Sequence, residues 1–193
     1  MTTILLARHG ETDWNRDGRF QGHADRPLNE AGREQARTLA EALVGESLAA
    51  VYTSPLRRAA ETAEIVAAPH GLQPEPVESL REVDVGSWEG LTRADLERRY
   101  PEQFRRWLGH EQGWEDGETY EEMGRRVVAA LLVLAGRHDG ERILGLTHGG
   151  PIRAAIAASE GITHVDARRR GPAIGNCFVA RFAVQNGVLR QLD

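Results

Sequence analysis

The apolar positions of this chain fall into two rhythms. Thr3–Arg8 (TILLAR) is a compact apolar run closed by charge, which predicts a strand buried on both faces. Leu48–Thr53 (LAAVYT) and Arg142–Thr147 (RILGLT) read the same way. Between them the spacing is helical. After Asn29, a residue suited to an N-cap, Ala36, Leu39, Ala40 and Leu43 recur every three or four positions. Ser54-Pro55 offers a cap and a favoured first residue for a helix over Pro55–Ala68. Thr119 with Glu122 makes a capping-box pattern ahead of Met123, Val127, Ala130, Leu131 and Leu134. Another helix is expected over Pro151–Ser159. Cys177–Val184 and Val188–Leu192 flank Asn186-Gly187, the signal of a tight hairpin.

Strands separated by helices imply crossover connections and a largely parallel sheet covered on both faces. The expected fold is therefore α/β, a three-layer α/β/α arrangement with a mostly parallel sheet that the C-terminal hairpin makes mixed. Residues 1–193 are expected to form one domain. The segment Thr92–Gly117, with Pro101, Trp107, Trp114 and many charges, breaks the alternation. It reads as a lid-like excursion over the strand ends, where ligands of such sheets collect.

Composition narrows the function. A net charge of −5 offers no basic footprint for nucleic acid. All 24 basic residues are arginine, so any mechanism that needs lysine is excluded. The lone Cys177 rules out an internal disulfide, and its spacing to Arg181 does not fit a cysteine-phosphatase loop; it reads as a small buried residue. The apolar run at Met1–Arg8 is too short for a signal peptide and no stretch approaches the ~20 apolar residues of a membrane span, so a cytoplasmic enzyme is expected. There is no Walker A loop, no Asp-x-Asp pair and no His-Glu-x-x-His, and no metal or other cofactor is expected.

The chemistry lies at strand ends. Arg8-His9-Gly10 closes the first strand, and Gly10 would let the backbone turn and approach a substrate. Thr147-His148-Gly149-Gly150 repeats the order of strand, His, Gly and helix. A third strand ends at Ser54, and its helix brings Arg57 and Arg58 to the same edge. Glu82 stands in Leu80-Arg81-Glu82. Singly, each of these reads as a structural histidine, a solvated arginine pair or a turn glycine. Together, two histidines, several arginines and one carboxylate match a phosphoryl-transfer site. A phosphate dianion suits planar bidentate donors, and helix N-termini add backbone N–H groups.

Arg8-His9-Gly10-Glu11-Thr12 with Trp14-Asn15, then Gln21-Gly22 and Pro27-Leu28-Asn29-Glu30-Ala31-Gly32, follow in order. Ser54-Pro55-Leu56-Arg57-Arg58-Ala59 with Thr62-Ala63 comes next. Leu80-Arg81-Glu82, Trp88-Glu89-Gly90 and Thr147-His148-Gly149-Gly150 complete the set. This ordered set resembles the histidine phosphatase superfamily, also called phosphoglycerate mutase-like. The resemblance implies that His9 attacks phosphorus and becomes phosphorylated, while Arg8, Arg58 and His148 bind the phosphate oxygens. Family spacing selects Arg58 over Arg57. Asn15, Gln21, Gly22 and Gly149 are similar to further substrate contacts, and Glu82 resembles the general acid. His9 must be neutral to attack, His148 is expected to be protonated, which a bound dianion would favour, and Glu82 must carry a proton as the leaving group departs.

The expected activity is thus a metal-independent phosphomonoester hydrolase acting on a small phosphorylated metabolite. The partners expected include no nucleic acid and no membrane, and a homodimer stays open. One alternative is a cofactor-dependent phosphoglycerate mutase of the same fold. It is disfavoured because Glu82-Val83-Asp84-Val85-Gly86 stands where mutases usually carry Glu-Arg-x-Tyr-Gly and no lysine follows. A mutase would have to use arginines such as Arg93, Arg105 or Arg106 in its place. The other alternative, a catalytically inactive binding module, conflicts with retention of every core residue. His23, His70, His110, His138 and His164 are expected to be surface or loop residues. Arg168-Arg169-Arg170 reads as a solvated charge run, and Trp14 and Trp88 as core or wall.

Overall fold

The structure, a computed structural model, describes residues 1–192. In chain order its main elements are β1 (Thr2–Arg8), α1 (Asp13–Arg16), α2 (Glu30–Leu43), β2 (Ala50–Thr53), α3 (Arg57–Ala67) and β3 (Glu75–Pro76). There follow α4 (Arg93–Arg99), α5 (Pro101–Leu108), α6 (Tyr120–Gly136), β4 (Arg142–Thr147), α7 (Gly149–Glu160), α8 (His164–Arg170), β5 (Val179–Gln185) and β6 (Val188–Leu192). The sheet order is β3-β2-β4-β1-β5-β6. β1, β4, β2 and β3 pair in parallel, and β5 runs antiparallel to both β1 and β6. This is the mixed, mostly parallel sheet that the alternation of strands and helices predicts.

The central strands are buried on both faces because successive side chains point to opposite sides. Leu5 and Ala7 of β1 pack with Leu144 and Leu146 against Leu39 and Leu43 of α2 and Ala63 and Val66 of α3. Ile4 and Leu6 point the other way, into a larger core with Ile143, Phe182, Met123 and Leu131. Each fully buried residue of this size contributes roughly 1.5–3 kcal/mol. The hairpin turns at Asn186-Gly187, both with positive φ (52° and 73°), which these two residues adopt at low cost.

Several boundaries differ from expectation. β2 starts at Ala50 rather than Leu48. α3 starts at Arg57 with Leu56 as a cap that offers no side-chain bond; Ser54 does not cap it. α7 starts two residues earlier than expected, at Gly149, with His148 as N-cap. β5 begins at Val179, because Cys177 turns out of the strand with φ 55° and gives its N–H to Arg8 O at 3.1 Å. The excursion over residues 92–117 contains two short helices before it continues as loop: α4 carries a Thr92–Asp95 capping box and α5 a Pro101 at its first position. α8, capped by Thr163 on Asp166, was not anticipated. No helix of the described residues is long and apolar enough to cross a membrane.

Candidate active site

Three strand ends build the site. β1 and β4 pair so that Arg8 faces Thr147. The next residues, His9 and His148, therefore stand side by side, with ring centroids 5.1 Å apart. β2 lies on the far side of β4 and ends at Ser54, whose N–H reaches Leu146 O at 2.8 Å. α3 then returns Arg58 to the same edge. The loop bearing Glu82 is tied to β4 by Thr147, whose hydroxyl donates to Leu80 O at 2.6 Å.

His9 is 2% exposed, and its Nδ1 sits 2.7 Å from Gly10 O. A carbonyl only accepts, so Nδ1 carries the hydrogen and Nε2 keeps its lone pair. Burial, then the charges of Arg58 and Arg8, hold the imidazole well below its ordinary pKa. Gly10 is required here for space: a Cβ would collide with Gly32 O, where the start of α2 packs under the loop.

His148 is fully buried and fixed at both nitrogens. Arg58 Nε donates to Nδ1 at 3.2 Å, so Nε2 carries the hydrogen and donates to Ser54 Oγ at 2.8 Å. Burial, then Arg58, His9 and Arg8, push its pKa well down. With Arg58 donating to Nδ1 the neutral form is favoured, and the ring lies directly behind the cavity wall; the protonated form expected from the sequence is one that a bound dianion would favour.

Arg58 is 1% exposed. Burial pushes its guanidinium down to about 10, opposed by Glu82. Its Nη1 and Nη2 donate to Ala24 O and Gly22 O, both at 2.8 Å. The Glu89 carboxylate holds the same loop from the other side through the N–H groups of His23 (2.5 Å) and Ala24 (3.0 Å). Arg8 donates from Nη1 to Ile174 O at 2.6 Å, and its Nε is buried with no partner. Burial lowers its pKa, with Glu82 and Cys177 opposing.

Glu82 accepts from the N–H of Gly150, in the first turn of α7, at 3.1 and 3.3 Å. A Cβ at position 150 would press on the Glu82 carboxyl and the Met123 sulfur, so glycine there lets Glu82 approach the helix N-terminus. The backbone under Glu82 is clamped. Arg126 of α6 donates to Ser79 O (2.9 Å), Arg81 O (2.8 Å) and Glu82 O (2.8 Å). It is itself held by both oxygens of Glu118 at 2.6 Å. His23 Nε2 also meets Glu82 O at 2.8 Å.

One cavity of about 400 Å³ opens here, with Arg8, His9, Asn15, Arg58, Glu82 and Gly149 in its wall together with Gln21 and Gly22. The structure thus brings together every residue picked from the sequence, with His148 directly behind the wall against His9 and Arg58. Asn15 accepts from Thr12 N at 3.2 Å in the capping box of α1, and Gln21 accepts from the Thr12 hydroxyl at 3.0 Å. Trp14 and Trp107 line the cavity, and Trp88 is buried beneath.

Other expectations change. Arg168 is no solvated charge: it lines the cavity and donates to Tyr120 OH (2.9 Å) and His110 O (3.0 Å). His164 is 8% exposed and stacks on Tyr120, with centroids 4.2 Å apart. His23 is half-buried against Glu82. Arg105 and Arg106 lie in a separate surface depression, Arg106 paired with Glu115. No group of three or more His, Cys, Asp or Glu that could hold a metal ion is found among the described residues.

An α/β fold with two histidines, two arginines and a carboxyl at the ends of its parallel strands defines a phosphoryl-transfer protein. The chain belongs to the histidine phosphatase superfamily (branch 1), whose model matches residues 4–192. It is 35% identical over 164 residues to phosphoserine phosphatase 1 of Hydrogenobacter thermophilus, covering 84% of this chain and 78% of that protein. A metal-independent phosphoserine phosphatase of Arabidopsis thaliana is 39% identical over 160 residues, 80% of this chain and 67% of that one. The solved structure of YhfR from Bacillus stearothermophilus superposes with a TM-score of 0.92 at 34% identity, covering 99% of this chain and 95% of that one. These relationships support phosphomonoester hydrolysis of the histidine-phosphatase type without a metal, and favour it over the mutase reading.

Proposed function

We propose that the chain is a single histidine phosphatase domain that hydrolyses a small phosphorylated metabolite through phosphorylated His9 Nε2. The observation that carries this is the locked tautomer of His9: Gly10 O holds the Nδ1 hydrogen, and the unshared pair on Nε2 belongs to a ring in the cavity wall. In the first step Nε2 bonds to phosphorus, the ester P–O bond breaks, and Glu82 gives its proton to the departing oxygen. In the second step water attacks phosphorus, the P–N bond breaks, and the Glu82 carboxylate takes the water's proton. Arg8 and Arg58 offset the charge that develops on the phosphoryl oxygens. His148 joins them by exchanging its Arg58 hydrogen bond for a proton on Nδ1 and a bond to a phosphoryl oxygen, a change that a dianion favours. Asn15, Gln21, Gly22 and Gly149 border the same space. The segment 92–117 forms the cap of the cavity. We place the protein in the cytoplasm; self-association is a separate question that sedimentation decides.

The test is capture of the intermediate. Acid-labile, alkali-stable label should appear on His9 when the protein meets a labelled phosphomonoester, and His9→Ala should abolish both label and turnover while the fold persists. Inorganic phosphate should be released in EDTA as in its absence. Label on a serine or aspartate, or activity lost to EDTA and restored by a divalent cation, would refute the reading.

A further inference from the structure

The cavity holds more positive charge than one phosphate calls for. Six arginines line it, Arg8, Arg19, Arg58, Arg93, Arg153 and Arg168, against a single carboxylate, Glu82. Twelve of the chain's other arginines have a carboxylate oxygen within 4.0 Å. None of these six does among the described residues. The other six, Arg26, Arg99, Arg105, Arg125, Arg169 and Arg190, also lack such a partner among the described residues but stand exposed to solvent, whereas the six of the cavity face one shared space.

They are also oriented without being neutralised. Arg93 and Arg168 sit over the Trp107 ring, at 5.5 and 5.2 Å from its centroid, and Arg168 lies 5.2 Å from that of Tyr120. Aromatic faces hold a guanidinium in place but leave its net charge available. Arg153 donates from Nη1 to Ala167 O at 2.8 Å and from Nη2 to Pro172 O at 2.5 Å. A guanidinium has five N–H donors, so these backbone contacts leave others free. Beside them His164, stacked on Tyr120 and 8% exposed, has a buried Nδ1 with no partner. A buried polar atom calls for a hydrogen-bond partner, which a bound group facing it would supply. Desolvation, then Arg168 and Arg153, push this imidazole down to about 3. An anion between those two arginines would reverse their effect and let His164 donate.

We propose that Arg93, Arg153, Arg168 and His164 form a second anion subsite, so that the substrates are phosphomonoesters bearing a further acidic group, a carboxylate or a second phosphate. This rests on the phosphatase reading, since Arg8 and Arg58 are then taken by the phosphate that reacts. The subsite lies mainly on α7 and α8, away from Arg105 and Arg106.

Paired substrates test it in the wild-type protein. Phosphoserine and phosphoethanolamine differ by one carboxylate; glucose 1,6-bisphosphate and glucose 6-phosphate differ by one phosphate. The expected result is a kcat/KM at least tenfold higher for the more acidic member of one pair, the pair that responds naming the group. Arg93→Gln, Arg153→Gln and Arg168→Gln should each shrink that ratio by roughly 10- to 100-fold or to unity, the worth of a charge-assisted hydrogen bond. Arg105→Gln should leave it intact. The Arg93 side chain makes no hydrogen bond among the described residues, so its replacement tests the subsite with little risk to folding. Hydrolysis of p-nitrophenyl phosphate together with flat ratios in both pairs would overturn the subsite and spare the phosphatase reading. A preference untouched by all three substitutions would overturn the assignment to these residues. No hydrolysis of any ester would overturn both.

Discussion

His9 and His148 lie with ring centroids 5.1 Å apart because each follows a strand-end residue, Arg8 and Thr147, that is the other's register partner. A shift of one residue in that pairing would turn one ring to the opposite face of the sheet. The pair is completed from β2, whose terminal Ser54 accepts the Nε2 hydrogen of His148. Ser54→Ala should leave that N–H buried and unpaired, which costs about 1–3 kcal/mol. Denaturant unfolding should show the loss, and kcat should fall with it as His148 turns freely. An unchanged midpoint would show that the hydrogen bond contributes nothing.

Glu82→Gln keeps shape but not acidity. Hydrolysis of alkyl phosphates should slow by roughly 10²–10⁴, the usual contribution of general acid–base catalysis. p-Nitrophenyl phosphate, whose leaving group needs little protonation, should lose less. Equal losses on both esters would make Glu82 a positioning residue only.

Arg126 acts on the reaction only through Glu82. Its three hydrogen bonds to Ser79, Arg81 and Glu82 carbonyls, braced by Glu118, set where the carboxyl stands. Displacement by about 1 Å can cost 10²-fold in rate. Arg126→Gln should therefore lower kcat on alkyl phosphates by about 10- to 100-fold, with a smaller loss on p-nitrophenyl phosphate and little change in KM. Glu118→Gln should show a weaker version of the same split. A loss confined to stability, with the leaving-group dependence unaltered, would show that the clamp is only structural.

What was legible in the sequence followed from local pattern. Apolar runs such as Leu5–Ala7 and Ile143–Leu146 mark strands wherever they sit, and residues just beyond parallel strand ends share one edge of the sheet. His9, Arg58, Glu82 and His148 could be placed on that basis. What escaped depends on contacts far along the chain. Nothing near Arg168 separates it from Arg169 and Arg170; it is half-buried because Trp107 and Tyr120, about 60 and 48 residues away, receive it. The partners that fix the His148 ring escape for the same reason, since Arg58 and Ser54 are 90 and 94 residues distant. In α4 and α5 dense charge hid the helical period, although the Thr92–Asp95 cap was there to be read.

Three buried histidines should make stability depend on pH. His9 and His148 are held well below their ordinary pKa, and His164 is pushed down to about 3. Each stays neutral in the folded protein, while in the unfolded chain each takes up a proton below about 6.5. The unfolded state then binds more protons, so stability is full above neutral pH and is lost as pH falls. At pH 5 each such histidine costs on the order of 2 kcal/mol relative to neutral pH. The carboxylates with lowered pKa at helix caps, Asp95, Glu122 and Asp166, act in the same direction but only below the ordinary carboxylate range, about 4.5. The window from pH 7.5 to 5 therefore isolates the histidines. Urea unfolding across it should show stability falling steadily, and His164→Gln should reduce the slope by the uptake of one proton. A flat profile, or a slope that His164→Gln leaves unchanged, would mean that these imidazoles exchange protons in the folded state and that the neutral His9 and His148 described above are not its resting form.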